Sequence, residues 1–130
     1  MALSEKAKAL LDGKALGMLG LVSEDGTSQV TPMWITRDGD TPVFNTVESR
    51  PKARTMRRDP RVTLTIVDPE DSYSYVELRG RVEFEEGPIA FDTIDALAKK
   101  YIGQDSYPWN QPGDVRVNCR MVVEREFGMG

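Results

Sequence analysis

Leu16 to Thr46 reads LGMLGLVSEDGTSQVTPMWITRDGDTPVFNT. Two Asp-Gly pairs, Asp25-Gly26 and Asp38-Gly39, separate three runs rich in apolar and β-branched residues. Asp-Gly between such runs favours the tight turns that join antiparallel strands, because these turns demand positive φ. The spacing predicts a three-stranded antiparallel meander, with strands in LGMLGLV, QVTPMWIT and PVFNT. Pro32 lies inside the second run and has no N–H for a ladder. That strand is therefore expected at a sheet edge, at a bulge, or open to something else at that point.

On the N-terminal side, LSEKAKALLDGK reads as a helix capped by Ser4 and ended by Gly13, with Ala7, Leu10 and Leu11 on one face. On the C-terminal side, Ser49 is a candidate cap for a second helix, Pro51 suits its first turn and Asp59-Pro60 stops it. RVTLTIVD (61–68) is a clear strand, DPEDSYS (68–74) a turn-rich loop, and YVELRGRVEFEE (75–86) a fifth strand with Gly80 at a bulge or close approach. PIAFDTIDALAKKYIG (88–103) is amphipathic, with Ile89, Ile94, Leu97, Ala98 and Tyr101 near one face. A long irregular segment, QDSYPWNQPGD (104–114), precedes a last strand, VRVNCRMVVEREFG. The expected fold is mainly β: a six-stranded antiparallel barrel with short flanking helices, in a single domain spanning residues 1–130.

Composition narrows the chemistry. The 130 residues include no histidine and one cysteine, Cys119. The commonest general base, the Ser-His and Cys-His nucleophile pairs and the commonest metal ligand are therefore missing. No carboxylate spacing argues for a metal site, and no side chain stands out as catalytic. A lone cysteine forms no internal disulfide, no apolar run reaches the roughly 18 residues of a membrane span, and the N-terminus lacks a signal peptide's apolar region. A cytoplasmic protein, not embedded in a membrane, is expected.

The charge distribution is uneven. ESRPKARTMRRDPRV (48–62) holds six of the 17 basic residues against Glu48 and Asp59, a local net of +4 in a chain whose total is −4. Such a helix can be a solvated face, a nucleic-acid contact or a site for one small anion. The acidic total and the lack of a second basic cluster argue against nucleic acid. The small anion is favoured, because Arg50 and Lys52 stand at the helix start, where free N–H groups and the helix dipole already attract a phosphate. Thr55 lies one turn beyond Lys52 and offers a hydroxyl. No glycine-rich phosphate loop is present, so a nucleotide-like ligand requires a different type of site. Trp34 and Trp109 read as packing residues, and Glu83, Glu85 and Glu86 as solvated.

The segments DGTSQVTPMWITRDGD, FNTVESRPKARTMRRDPRVTLTIVD, YSYVELRGRVEF and RVNCRMVVEREFG resemble the split β-barrel flavin and deazaflavin oxidoreductases of the pyridoxamine-phosphate oxidase superfamily. The pattern R-x-K-x-R-x-x-R-R-D-P-R-V is most similar to the coenzyme F420-dependent reductase branch known from actinobacteria. The resemblance implies a homodimer with the cofactor in a groove between subunits. It implies that Lys52 contacts the cofactor phosphate beside Arg50 and Thr55. It also places Gln29, Thr31, Pro32 and Met33, facing Asn45 and Thr46, along the deazaflavin ring. Tyr73, Tyr75 and the SYPWNQPG loop would form the rim. The implied activity is hydride transfer from the reduced deazaflavin to a small unsaturated or conjugated acceptor. FMN in place of F420, or a non-catalytic F420 carrier, are the alternatives. In such chemistry the reactive carbon belongs to the cofactor, which accounts for the missing histidine.

Overall fold

The structure, a computed structural model, describes residues 1–130. Seven strands form one antiparallel sheet: β1 (Gly17–Val22), β2 (Ser28–Met33), β3 (Thr36–Asp38), β4 (Thr41–Val47), β5 (Arg61–Asp68), β6 (Asp71–Glu85) and β7 (Arg116–Met129). Their order across the sheet is β2-β1-β5-β6-β7-β4-β3. β2 and β3 are the two edges, yet only Trp34 and Ile35 separate them along the chain. Three peptide steps reach roughly 10 Å. The two edges must therefore meet at this corner, and the sheet rolls into a barrel whose seam is crossed by the chain and not by a ladder. This is a split antiparallel barrel, flanked by helices α1 (Glu5–Asp12), α2 (Pro51–Arg58) and α3 (Pro88–Ile102).

Seven strands replace the expected six because QVTPMWIT is two strands. Both Asp-Gly turns are real hairpins, with Gly26 at φ 88° and Gly39 at φ 61°. They join β1 to β2 and β3 to β4, however, and no ladder links β2 to β3 or β4. The expected meander is two hairpins placed at opposite edges. The run breaks where the fully buried Ile35 turns into the barrel. Pro32 sits on edge strand β2, opposite Met18, so its missing N–H leaves no inner ladder incomplete.

Three further expectations change. DPEDSYS is a tight hairpin and not a loop, because β6 already begins at Asp71 and Asp68 pairs with it. Ser49 does not cap α2: Arg50 is the N-cap, no side chain caps the helix, and Pro51 occupies the first turn. On α3 the buried face is Ala90, Ile94, Leu97 and Ala98, while Ile89 is exposed. Elsewhere the sequence signals hold. Ser4 Oγ accepts from the Ala7 N–H at 3.0 Å, Asp59 ends α2, and Gly103 closes α3 at φ 70°. The β6–β7 register shifts at Gly80.

The barrel interior is filled by Leu19, Leu21, Ile35, Phe44, Leu64, Ile66, Leu78 and Met121, with Leu10 and Leu11 of α1 and Met56 of α2 joining the same cluster. α3 packs outside, against β7 and β4. Every residue of the runs Pro42–Val47 and Arg116–Cys119 is buried, because these segments have the barrel on one face and α3 on the other. No helix is long and apolar enough to cross a membrane.

Candidate functional site

Where β2 ends, β4 runs into α2, and α3 covers the start of β7, a cleft of about 280 Å³ opens. Pro32, Met33 and Trp34 form one wall, Asn45, Thr46 and Val47 the floor, and Ile94 and Leu97 of α3 the far side. Tyr107 and Trp109, from the 104–114 segment, stand over it. Arg50, Lys52 and Arg116 are its only charged lining residues; no carboxylate lines it.

The α2 end is built by local geometry. The Arg50 N–H donates to the Val47 carbonyl at 2.9 Å, turning the chain directly from β4 into the helix. Lys52 then lies half-buried, and its Nζ finds only the thioether of Met33, at 3.2 Å. Sulfur is a weak acceptor, so the ammonium is left without an adequate partner. Desolvation first, and the neighbouring Arg50 charge second, lower the Lys52 pKa. An anion placed here would relieve both effects. The site is thereby suited to an anion.

The aromatic wall is continuous. Tyr101 stacks on Trp34, with centroids 5.4 Å apart and planes 5° from parallel. Tyr107 meets Trp34 edge-on at 6.0 Å, and Trp109 meets Tyr107 edge-on at 5.5 Å. The segment carrying Tyr107 is tied to α3, because its N–H donates to Asp95 Oδ1 at 2.8 Å. Trp34 is held from behind: the Ile35 N–H donates to the Tyr101 hydroxyl, which donates to the Ala15 carbonyl. Trp34 packs on Tyr101, as the packing reading expects, and also lines the cleft; Trp109, 57% exposed over the cleft, departs from that reading.

Of the residues singled out in the sequence, Pro32, Met33, Asn45, Thr46, Arg50 and Lys52 come together in this cleft. Gln29 and Thr55 do not join them. They line a polar depression on the other side of α2, with Ser23, Arg54 and Arg58, and the Thr55 hydroxyl donates back to the Pro51 carbonyl at 3.0 Å. Thr31 lines neither, and its Oγ1 is buried without a partner. Tyr73, 79% exposed, and Tyr75 stand at the start of β6 and line no part of this chain's cleft. The remaining cations of the basic stretch are occupied: Arg57 pairs with Glu48 and Glu86 and lies over Phe84, Arg61 pairs with Asp59, Arg54 holds the Ser49 carbonyl, and Arg58 holds the Val22 carbonyl. Glu85 is not merely solvated, since it accepts from Asn118.

Arg116, Val47 and Tyr107 complete the cleft without having been singled out individually, while Ile94 and Leu97 were expected only as part of the apolar face of α3. The polar residues Arg116 and Asn118, set in an otherwise apolar strand, were the available signal for the first.

A profile of the pyridoxamine 5'-phosphate oxidase family matches residues 3–125. The chain belongs to this family. Among solved structures, this pyridoxamine 5'-phosphate oxidase family member is similar to an F420 reductase, at 30% identity and a TM-score of 0.82, over 96% of this chain and 98% of that one. A conserved hypothetical protein of Mycobacterium tuberculosis shares the fold at 22% identity and a TM-score of 0.78, over 99% and 86% of the two chains. General stress protein 26 of Bacillus anthracis shares it at 17% identity and 0.72, over 96% and 92%.

Proposed function

We propose that this family member is an F420-dependent oxidoreductase of the cytoplasm. The cleft would hold the deazaflavin by its phosphate at Lys52 and Arg50 and by its ring along Pro32, Met33, Asn45 and Thr46. The resemblance would add Thr31, Gln29 and Thr55 to the cofactor's surroundings, Gln29 and Thr55 from the separate depression across α2. The observation that carries the reading is the Lys52 ammonium, half-buried, facing only a thioether, in a cleft without a carboxylate. The likeness to an F420 reductase over nearly the full length of both chains supports it.

When bound, the deazaflavin supplies hydride transfer to a conjugated acceptor. The chain's own task is to bind and orient. Lys52 and Arg50 fix the phosphate end, while Trp34, Tyr107 and Trp109 wall off water on one side. A homodimer is part of the proposal, with Tyr73 and Tyr75 reaching the rim of the partner's cleft. Exposed Met18, Val30 and Val67 on the outer sheet face support it. Light scattering on the purified protein gives the oligomeric state.

The same cations suit FMN, the second reading, because a phosphate site does not distinguish two ring systems. The test is titration of purified protein with F420 and, separately, with FMN, following cofactor fluorescence. Tight F420 binding and weak FMN binding are expected, and the reverse moves the protein to the flavin branch. Rapid oxidation of bound reduced F420 by an added acceptor separates an enzyme from a carrier.

A further inference from the structure

Arg116 is only 6% exposed, yet it forms no ion pair. Its Nε donates to Asn110 Oδ1 at 2.7 Å and its Nη1 to Asn45 Oδ1 at 2.9 Å, both neutral amides. Its guanidinium lies 4.5 Å over the Tyr107 ring. Asn45 passes the contact on to Asn118 Oδ1 at 2.8 Å, and Asn118 donates to Glu85 Oε1 at 3.0 Å. Two amides thus stand between this cation and the nearest carboxylate of the network. A buried charge is ordinarily met by an opposite one.

The donor count points the same way. Nη2 makes no hydrogen bond within the chain. The only buried side-chain atoms without a partner are Ser23 Oγ and Thr31 Oγ1, so Nη2 keeps an accessible edge, on a side chain that lines the cleft. The guanidinium is held rigidly by two amides and a ring while one edge stays free. An Nη2 group left unbonded in this way can donate one charge-assisted hydrogen bond to a carboxylate.

We propose that Arg116 determines the specificity of the cleft for its second ligand: it receives the carboxylate of a planar conjugated acid, whose apolar body lies against Trp34, Tyr107 and Trp109. The assignment deepens the reading above and rests on it only in taking the cleft as the ligand site, whichever ring cofactor is held. Orientation of the acid is set by Asn45 and Asn110, which act as positioning residues for the guanidinium.

The probe is trans-cinnamate, with cinnamamide as its neutral counterpart, on cofactor-free protein. The chain's two tryptophans both line the cleft, so their fluorescence reports occupancy, and calorimetry checks it. Wild type should bind the carboxylate about tenfold or more tighter than the amide, the effect of one charge-assisted contact. The ratio should fall to within about twofold of unity in Arg116→Gln and persist in Arg58→Ala, outside the cleft. Absence of the preference in wild type, its survival in Arg116→Gln, or its loss in Arg58→Ala each overturns the proposal. Should Arg116→Gln not fold, Asn110→Ala, in the exposed segment, releases the Nε end; the preference should fall there, and an unchanged ratio overturns the proposal. Wild type that binds neither F420 nor FMN but shows the Arg116-dependent preference would remove the cofactor reading and leave this one standing.

Discussion

The Lys100 ammonium lies 2.6 Å from the Ile35 carbonyl, and the same nitrogen is 2.6 Å from the Leu11 carbonyl. One residue of α3 thereby ties the barrel seam to the end of α1. The next residue, Tyr101, binds the Ile35 N–H and stacks on Trp34. The cleft wall is as rigid as this clamp.

Lys100→Met should therefore destabilise the protein, since two carbonyls lose a charged donor. Each such loss is worth roughly 1–3 kcal/mol when fully buried; with Lys100 half-exposed, solvent screening takes the expected fall for the two to about 2–4 kcal/mol in urea unfolding. An unchanged midpoint would mean that the seam is held by packing alone.

Stability should also depend on Lys100 through pH. Desolvation lowers its pKa from 10.5 to about 8 in the folded chain. Between pH 8 and 10.5 the unfolded chain carries the extra proton, so this group makes stability rise with pH, while below pH 8 both states are protonated and its contribution is flat. Cys119 acts oppositely: burial pushes its thiol up from 9.0 to about 12, so the unfolded chain loses that proton first and stability falls above pH 9. The raised pKa of Tyr101, again from desolvation, adds to that fall above pH 10. Urea midpoints between pH 7.5 and 9 should rise in wild type and rise less in Lys100→Met, the remainder belonging to Lys52, whose pKa desolvation also lowers. A rise of equal size in the variant would remove Lys100 as its source.

Lys52→Ala should weaken F420 binding by about tenfold or more, because a charge-assisted contact to phosphate contributes about 1.5–3 kcal/mol. The difference should shrink at high salt, as the contact is half-exposed. Arg58→Ala, whose guanidinium holds the Val22 carbonyl outside the cleft, should change affinity by less than about threefold. Fluorescence titration of both variants decides it; wild-type affinity in Lys52→Ala would remove the phosphate assignment.

Gly80→Ala should cost roughly 3 kcal/mol or more, or prevent folding, because overpacked backbone has no rotamer to relax into. A Cβ at this position would stand 1.9 Å from the Val122 carbonyl oxygen. The two longest strands, β6 and β7, approach there across the register shift. Expression and thermal unfolding of the variant test it, and near wild-type stability would show that the two strands can separate at little cost.

The sequence by itself determined what depends on neighbours along the chain. Ser4 caps α1, the Asp-Gly pairs turn two hairpins, Pro32 excludes β2 from the sheet interior, and Arg50 and Lys52 stand at the start of α2. Each follows from bonds spanning a few residues, so residue type and spacing suffice. Tertiary structure alone decided the rest. The split of QVTPMWIT into opposite edges depends on barrel closure, which buries Ile35. The separation of Gln29 and Thr55 from Lys52 depends on which side of α2 faces the cleft. Arg116 became a cleft residue because α3 covers β7 and removes the water that the sequence pattern alone would have left around it. These outcomes rest on which distant surfaces share one core, and a pattern of period two or 3.6 gives a segment's buried face without naming its partner.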